Sequence, residues 1–257
     1  MEGYLPRLRL DGEGIVVLGA GAGMGAASSR ALAEAGARIL CVDREMSLAE
    51  QIANEVGGIA FAADVTDRAG MENVFETAQA HFGASLKGVV DIVGVALLDK
   101  VESFDDARFD SQFEVVLRHA FLAIQIGAPI LSANGGGAMT FIGSNSGMKS
   151  VPGQTIYGAA KAALHHMVRC SAREFGDRGV RMNVIAPSFV RTLRLLEKLG
   201  PEFWETVDRT APLGRAGTVE DIASVVLFLQ SALAGYVTGN VMTLDGGGDV
   251  VAALPTP

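Results

Sequence analysis

Three side chains in one short segment could run general acid–base chemistry: Ser144, Tyr157 and Lys161, within SNSGMKSVPGQTIYGAAK. Tyr157 and Lys161 are four apart, so on a helix from Tyr157 onward they share a face, roughly 6 Å apart along the axis. A phenol titrates near ~10 in water, too high for a good base at neutral pH. A neighbouring ammonium favours the phenolate and can lower that value by roughly 1–3 units. The Ser144 hydroxyl could then hold a reacting oxygen while Tyr157 moves its proton, chemistry worth about 10²–10⁴ in rate where the pKa suits the task. Tyr-x-x-x-Lys alone is most often solvated helix surface, so the rest of the chain must supply what these groups act with.

The elements around them read as alternating strands and helices. The apolar run Ile15–Leu18 enters GAGAGMG, and Ala26–Ala35 follows as a helix of good formers. Strand, glycine turn and helix together make a phosphate-binding hypothesis. Glycines at 19, 21, 23 and 25 permit a tight turn and let a pyrophosphate approach the helix N-terminus, where free N–H groups favour negative charge. Arg38–Val42 is a second strand ending at Asp43. A carboxylate there accepts hydrogen bonds from both ribose hydroxyls and repels a 2′-phosphate, which selects NAD over NADP. Arg44 could greet a 2′-phosphate, but the glycine turn offers no basic residue to help it. Asp64, after a third strand at Ile59–Ala62, is placed either to cap an adenine edge or to N-cap the next helix.

Helices are expected at Ser47–Val56, Asp67–Phe82, from Ser103 or Asp105 to Leu131, at Tyr157–Phe175 and at Val219–Leu229. Further strands are expected at Gly88–Ile92, Ala138–Ile142, Val180–Ile185 and Val241–Leu244. Apolar strands without alternation, separated by helices, imply a parallel sheet covered on both faces. The expected fold is therefore α/β, a Rossmann-type doubly wound parallel sheet of about seven strands, in one domain spanning residues 1–257. Residues 188–211 are apolar but poorly periodic, and suit either a substrate lid or a packing or subunit interface.

Composition bounds the rest. The 257 residues are 49% hydrophobic and 19% charged, which describes a packed globule. A net charge of −8 argues against nucleic acid and anionic membranes as partners. No run reaches ~18 uninterrupted apolar residues and the N-terminus lacks a signal-like core, so a cytoplasmic protein is expected. Cys41 and Cys170 sit in apolar sequence and read as buried free thiols of a reducing compartment. His165 and His166 lie one turn after Lys161, point to different sides of that helix and have no Cys/His/carboxylate partners at ligand spacing, so no metal site is expected. His119 reads as filler or interface.

The spacing Gly19-x-x-x-Gly23-x-Gly25, with Ser144 thirteen residues before Tyr157-x-x-x-Lys161, resembles the short-chain dehydrogenase/reductase family. The likeness continues in Arg181-Met-Asn-Val-Ile-Ala-Pro187, Val190-Arg-Thr192, Glu220-Asp-Ile-Ala and Tyr236-Val-Thr-Gly…Leu244-Asp-Gly-Gly, covering nearly the whole chain. It implies Tyr157 as acid/base, with Lys161 lowering its pKa and holding the nicotinamide ribose. Ser144 would orient the substrate oxygen, and Thr192 with the Val190 backbone would lie near the carboxamide. The implied cofactor residues are Gly19, Gly23, Met24, Gly25, Asp43, Arg44, Asp64, Val65, Gly94, Tyr157, Lys161, Pro187, Val190 and Thr192. Substrate contacts fall to Ser144, Asn145, Gln154, Tyr157 and Phe189, with Val95 and the Leu193–Trp204 stretch nearby. Three departures stand out. The family's Asn-Asn-Ala-Gly is here Asp91-Ile92-Val93-Gly94; its catalytic Asn aligns with Val116; its Pro-Gly turn is Pro187-Ser188. In the family that Asn kinks its helix and anchors a water that passes protons from the lysine, which Val116 cannot do by its side chain.

The expected activity is hydride transfer between NAD(H) and a secondary alcohol/ketone pair, hydrophobic and cyclic, aromatic or steroid-like in character. A reductase running on NADPH and a non-catalytic dinucleotide sensor are the alternatives. The resemblance also implies a homotetramer or homodimer.

Overall fold

Runs of branched and leucine-type residues with no polar alternation form the strands; the five inner strands are buried as such runs require, and the two edge strands are half-buried. The computed structural model describes residues 3–250. The strands are β1 (Gly14–Leu18), β2 (Arg38–Asp43), β3 (Ile59–Ala62), β4 (Leu86–Asp91), β5 (Gly137–Ile142), β6 (Val180–Pro187) and β7 (Val241–Leu244). They form one sheet in the order β3-β2-β1-β4-β5-β6-β7, with every neighbouring pair parallel. The order reverses between β1 and β4. In such a sheet the crevice outside the strand ends at that switch point is where a ligand fits.

Helices α1 (Gly23–Glu34), α2 (Met46–Val56) and α3 (Arg68–Phe82) follow the first three strands, and α4 (Asp106–Ala133) and α5 (Thr155–Phe175) follow β4 and β5. Two short helices, α6 (Leu193–Lys198) and α7 (Pro201–Thr210), come after β6, and α8 (Val219–Gln230) precedes β7. The sheet separates two apolar layers. One gathers Phe75, Leu122, Phe141, Leu164 and Val184 under α3, α4 and α5. The other gathers Ile15, Leu32, Ile52, Ile185 and Ile222 under α1, α2 and α8.

Local sequence sets the helix ends. Asp67 accepts from Gly70 N–H at α3, Asp105 from Arg108 N–H at α4, and Thr218 with Asp221 forms a reciprocal capping box at α8. The N-cap reading of Asp64 is thereby corrected, because Asp67, three residues on, takes that place. By length and composition alone α4 could cross a membrane, but half of its most apolar 18-residue window is buried, and it packs on α3 and α5. The irregular region expected at 188–211 contains α6 and α7. Both are short, six and ten residues, and the break at Gly200-Pro201 separates them, which hid the helical period.

Candidate active site

Glycine geometry shapes one wall of the crevice. Gly19 and Gly23 have φ of +80° and +55°, values that side chains rarely adopt. A Cβ on Gly25 would stand 1.9 Å from the Gly19 carbonyl oxygen, so α1 packs against the turn only because residue 25 has none. The N-cap Ala22 offers no side-chain acceptor and the first turn of α1 holds no acid, which leaves its N–H groups available to an anion. Asp43, closing β2, leans over the turn: Gly21 N–H donates to its Oδ2 at 3.0 Å and Glu45 N–H to its Oδ1 at 3.1 Å. Arg44 is exposed beside it, and Met24 is half-buried in α1. Beyond β3, Asp64 Oδ1 accepts from Thr66 N–H and Oγ1–H at 2.9 and 2.6 Å, which holds its carboxyl below the usual range, and Val65 is buried beneath.

The facing wall comes from the end of β6. Pro187 is the last strand residue, Val190 pairs in parallel with Gly217, and Thr192 N-caps α6. Thr192 Cγ2 lies 3.6 Å from where a Gly23 Cβ would be, so this loop meets the glycine turn. A cradle without side chains, free helix N–H groups and a preset carboxylate fit a dinucleotide's pyrophosphate and ribose.

Ser144 follows β5 after Gly143, and Tyr157 and Lys161 share a face of α5, with Lys161 Nζ 5.9 Å from the Tyr157 ring centre. Nζ donates to the Ile142 carbonyl at 2.7 Å. Gly94, at φ +151°, leaves it room, since a Cβ there would approach Nζ to 3.3 Å. Burial lowers the Lys161 ammonium to about 8, and the charge of Asp91 works in the opposite direction. Tyr157 departs from expectation. Burial pushes its phenol above the ordinary value, and the hydrogen bond with the Ser144 side chain only partly offsets this. Lys161 does not lower it here, because its charge is spent on a neighbouring carbonyl and stands off the ring. The three side chains do come together, but the phenol rests protonated in this state.

The Ser144 loop is braced from below by His165, whose Nε2 accepts from Ser144 N–H at 3.4 Å. A Cβ at Gly143 or Gly147 would strike that ring, at 2.3 and 2.6 Å. Burial, with Lys161 and Arg169 nearby, lowers His165 to about 4, so it braces the loop as a neutral ring. Ser146 Oγ–H donates to Gln154 Oε1, and Asn145 Nδ2 donates to Asp245 Oδ2 at 3.0 Å, tying the loop to the chain after β7. Phe189 meets Phe203 edge-on at 4.9 Å, and Phe203 meets Trp204 at 5.5 Å. A pocket of about 250 Å³ opens between Phe189, Phe203, Val207, Asp245 and Gly248. A broader groove along the N-terminal segment, α1 and α8 carries none of the site residues. Val95 is held by a residue the sequence did not single out: buried Gln112 donates to its carbonyl and accepts from Leu97 N–H.

The departures from the family pattern have structural consequences. Val116 is fully buried, yet α4 still widens to a π-turn over Glu114–Arg118, so the kink does not require Asn. His119, expected as filler or interface, is buried with its Nδ1 2.7 Å from Asp91 Oδ2. Of the two cysteines only Cys41 is buried, which pushes its thiol up to about 11. Cys170 is exposed on α5, its Sγ 3.4 Å from His166 Nε2, because its position falls on the solvent side of the helix.

A family model described as enoyl-(acyl carrier protein) reductase, a member of this dehydrogenase/reductase group, matches residues 19–249. The chain belongs to the short-chain dehydrogenase/reductase family. Membership makes it an oxidoreductase that uses a nicotinamide dinucleotide to transfer hydride to or from an alcohol/carbonyl pair. The short-chain dehydrogenase is 36% identical to galactitol 2-dehydrogenase (L-tagatose-forming) of Cereibacter sphaeroides, over 95% of this chain and 98% of that one. It is 34% identical to the 7α-hydroxysteroid dehydrogenase of Escherichia coli K12, over 94% and 96% of the two chains. A solved structure of 7α-hydroxysteroid dehydrogenase complexed with NADH and 7-oxo-glycochenodeoxycholic acid superposes with a TM-score of 0.90 at 31% identity, covering 96% of this chain and 98% of that one.

Proposed function

We propose that this protein is an NAD(H)-dependent dehydrogenase of hydrophobic secondary alcohols, cyclic, aromatic or steroid-like. The observation that carries the cofactor choice is Asp43, whose carboxylate is fixed by two backbone N–H groups at the lip of the glycine turn. A fixed anion there favours ribose hydroxyls and opposes a 2′-phosphate. The aromatic cluster of Phe189, Phe203 and Trp204 beside the pocket supports an apolar substrate, as does similarity to a hydroxysteroid dehydrogenase.

In this reading Gly19, Gly23, Met24 and Gly25 cradle the pyrophosphate, Asp43 and Arg44 face the adenosine ribose, and Asp64 and Val65 flank the adenine. Gly94, Pro187, Val190 and Thr192 border the nicotinamide half. The bound nicotinamide supplies the hydride acceptor. Ser144 Oγ holds the substrate oxygen and Tyr157 Oη takes or returns its proton. Lys161, between Tyr157 and the Ile142 carbonyl, stabilises the phenolate once Tyr157 has ionised. The work is positioning and charge complementarity. Asn145, Gln154 and Phe189 line the substrate side, and residues 188–211 act as its lid within a single 1–257 domain. The enzyme acts in the cytoplasm as a homotetramer.

The test is absorbance at the reduced-nicotinamide band over a panel of hydrophobic secondary alcohols, with NAD and NADP separately. Turnover with NAD is expected. Preference for NADP overturns the cofactor reading, and turnover confined to open-chain polyols overturns the substrate class.

A further inference from the structure

The buried pair at the end of β4 has no part in the chemistry just described. Asp91 Oδ1 accepts from Val93 N–H at 3.1 Å, and Oδ2 faces His119 Nδ1 at 2.7 Å. His119 Nε2 is buried with no partner among the described residues. A neutral ring with its proton on Nδ1 leaves only a lone pair unmatched there. A protonated ring would bury a charged N–H without an acceptor, which costs more. The pair therefore keeps the negative charge of a carboxylate.

That charge lies one strand over from the carbonyl that holds Lys161. Asp91 pairs in register with Phe141, and the next residue of β5, Ile142, supplies the carbonyl that accepts from Lys161 Nζ. The loop from Asp91 also carries Gly94, whose missing side chain makes room for Nζ. The groups facing Lys161 are Tyr157 and His165 on its own helix, Asp91 on β4, and His119 on α4 behind Asp91. Of these only Asp91 favours the ammonium. The only hydrogen bond of Nζ among the described residues goes to an uncharged carbonyl.

We infer that Asp91, oriented by His119, is a positioning residue that keeps the buried Lys161 in its ammonium form. The inference builds on the acid–base reading of Tyr157 and Lys161. A lysine stripped of water gives up its proton readily, and a neutral amine cannot stabilise a phenolate. His119 fixes which way the carboxylate points, and Val93 N–H fixes the other oxygen.

Direct titration tests this. The chain has only five lysines, at 87, 100, 149, 161 and 198, so ¹³C/¹⁵N-lysine labelling resolves Lys161, assigned by its loss in Lys161→Met. In the cofactor-free protein Asp91→Asn should move the Lys161 midpoint down by roughly one pH unit or more. His119→Gln, which keeps the carboxylate and offers it an N–H, should leave the midpoint where the wild type has it. In turnover, the alkaline limb of kcat against pH should move down in Asp91→Asn as well. An unmoved Lys161 midpoint in Asp91→Asn overturns the inference, as does an equal shift in His119→Gln. Should Asp91→Asn not fold, the double variant Asp91→Asn/His119→Ala removes the same charge together with the ring that faces it. Retained activity in Tyr157→Phe would refute the acid–base reading on its own, and the lysine titration would still decide the electrostatic claim.

Discussion

Replacing Asp43 by alanine should exchange the enzyme's preference between the two nicotinamide dinucleotides. The carboxylate is preset over the glycine turn by Gly21 N–H at 3.0 Å and Glu45 N–H at 3.1 Å, so it meets a ribose without reorganising. Hydrogen bonds to a charged acceptor contribute about 1.5–3 kcal/mol each, so losing the two from the ribose hydroxyls, about 3–6 kcal/mol, should weaken NADH by about 10²- to 10⁴-fold. The change also frees two N–H donors and removes the charge that opposes a 2′-phosphate, while Arg44 remains exposed next door. NADPH should therefore bind more tightly to the variant than to the wild type. Fluorescence titration with NADH and NADPH on both proteins reads these constants without any substrate. The reasoning is refuted by a wild type that binds NADPH as tightly as NADH, or by a variant whose NADH affinity is unchanged.

Val116→Asn should leave kcat and its solvent isotope effect unchanged, because α4 already makes its π-turn without Asn; a rise in kcat would show that the side-chain water anchor limits turnover. Asp221 holds the α8 capping box and a fork from Arg215 Nη1 and Nη2 at 2.6 and 2.9 Å, which holds its carboxyl to about 2. Asp221→Ala should cost about 1–2 kcal/mol in urea unfolding at neutral pH. The difference should shrink as pH falls through about 2, where the folded carboxyl protonates, and a gap that persists in strong acid would contradict the assignment. Lys161 titrates near 8 when folded and near its ordinary 10.5 when unfolded, so between those values the unfolded chain binds more protons. Stability of the cofactor-free protein should rise across that window by about 1–3 kcal/mol more than in Lys161→Met. Parallel curves for the two proteins would exclude a buried, proton-losing lysine.

Much of the fold was legible because a doubly covered parallel sheet writes itself as uninterrupted apolar runs, and Ile59–Ala62 and Val241–Leu244 match their expected bounds. The meeting of the glycine turn with Asp43 was legible for a local reason: both fall within a single strand–turn–helix–strand unit. What escaped was written across elements. Asp91 and His119 lie 28 residues apart, and nothing in either neighbourhood marks them as partners until β4 and α4 pack. Gln112, bracing Val95 and Leu97, is hidden in the same way. His165 was correctly set apart from His166 by helical phase, but its support of Ser144 depends on two glycines that let the ring in. The pKa of Tyr157 could not be read from the i, i+4 spacing. Spacing brings Lys161 near but says nothing of the desolvation that outweighs it. Cys170 shows the same limit, since apolar neighbours in sequence do not fix which face of α5 a residue occupies.

The central claim is that Tyr157 moves the proton. Tyr157→Phe removes one oxygen from a half-buried ring and leaves Ser144, Lys161 and the glycine cradle in place. Single-turnover absorbance of NAD reduction, alongside NADH binding by fluorescence, separates chemistry from affinity. The account predicts unchanged NADH binding and a hydride-transfer rate lower by about 10²–10⁴. A variant that binds NADH and transfers hydride at the wild-type rate would contradict it.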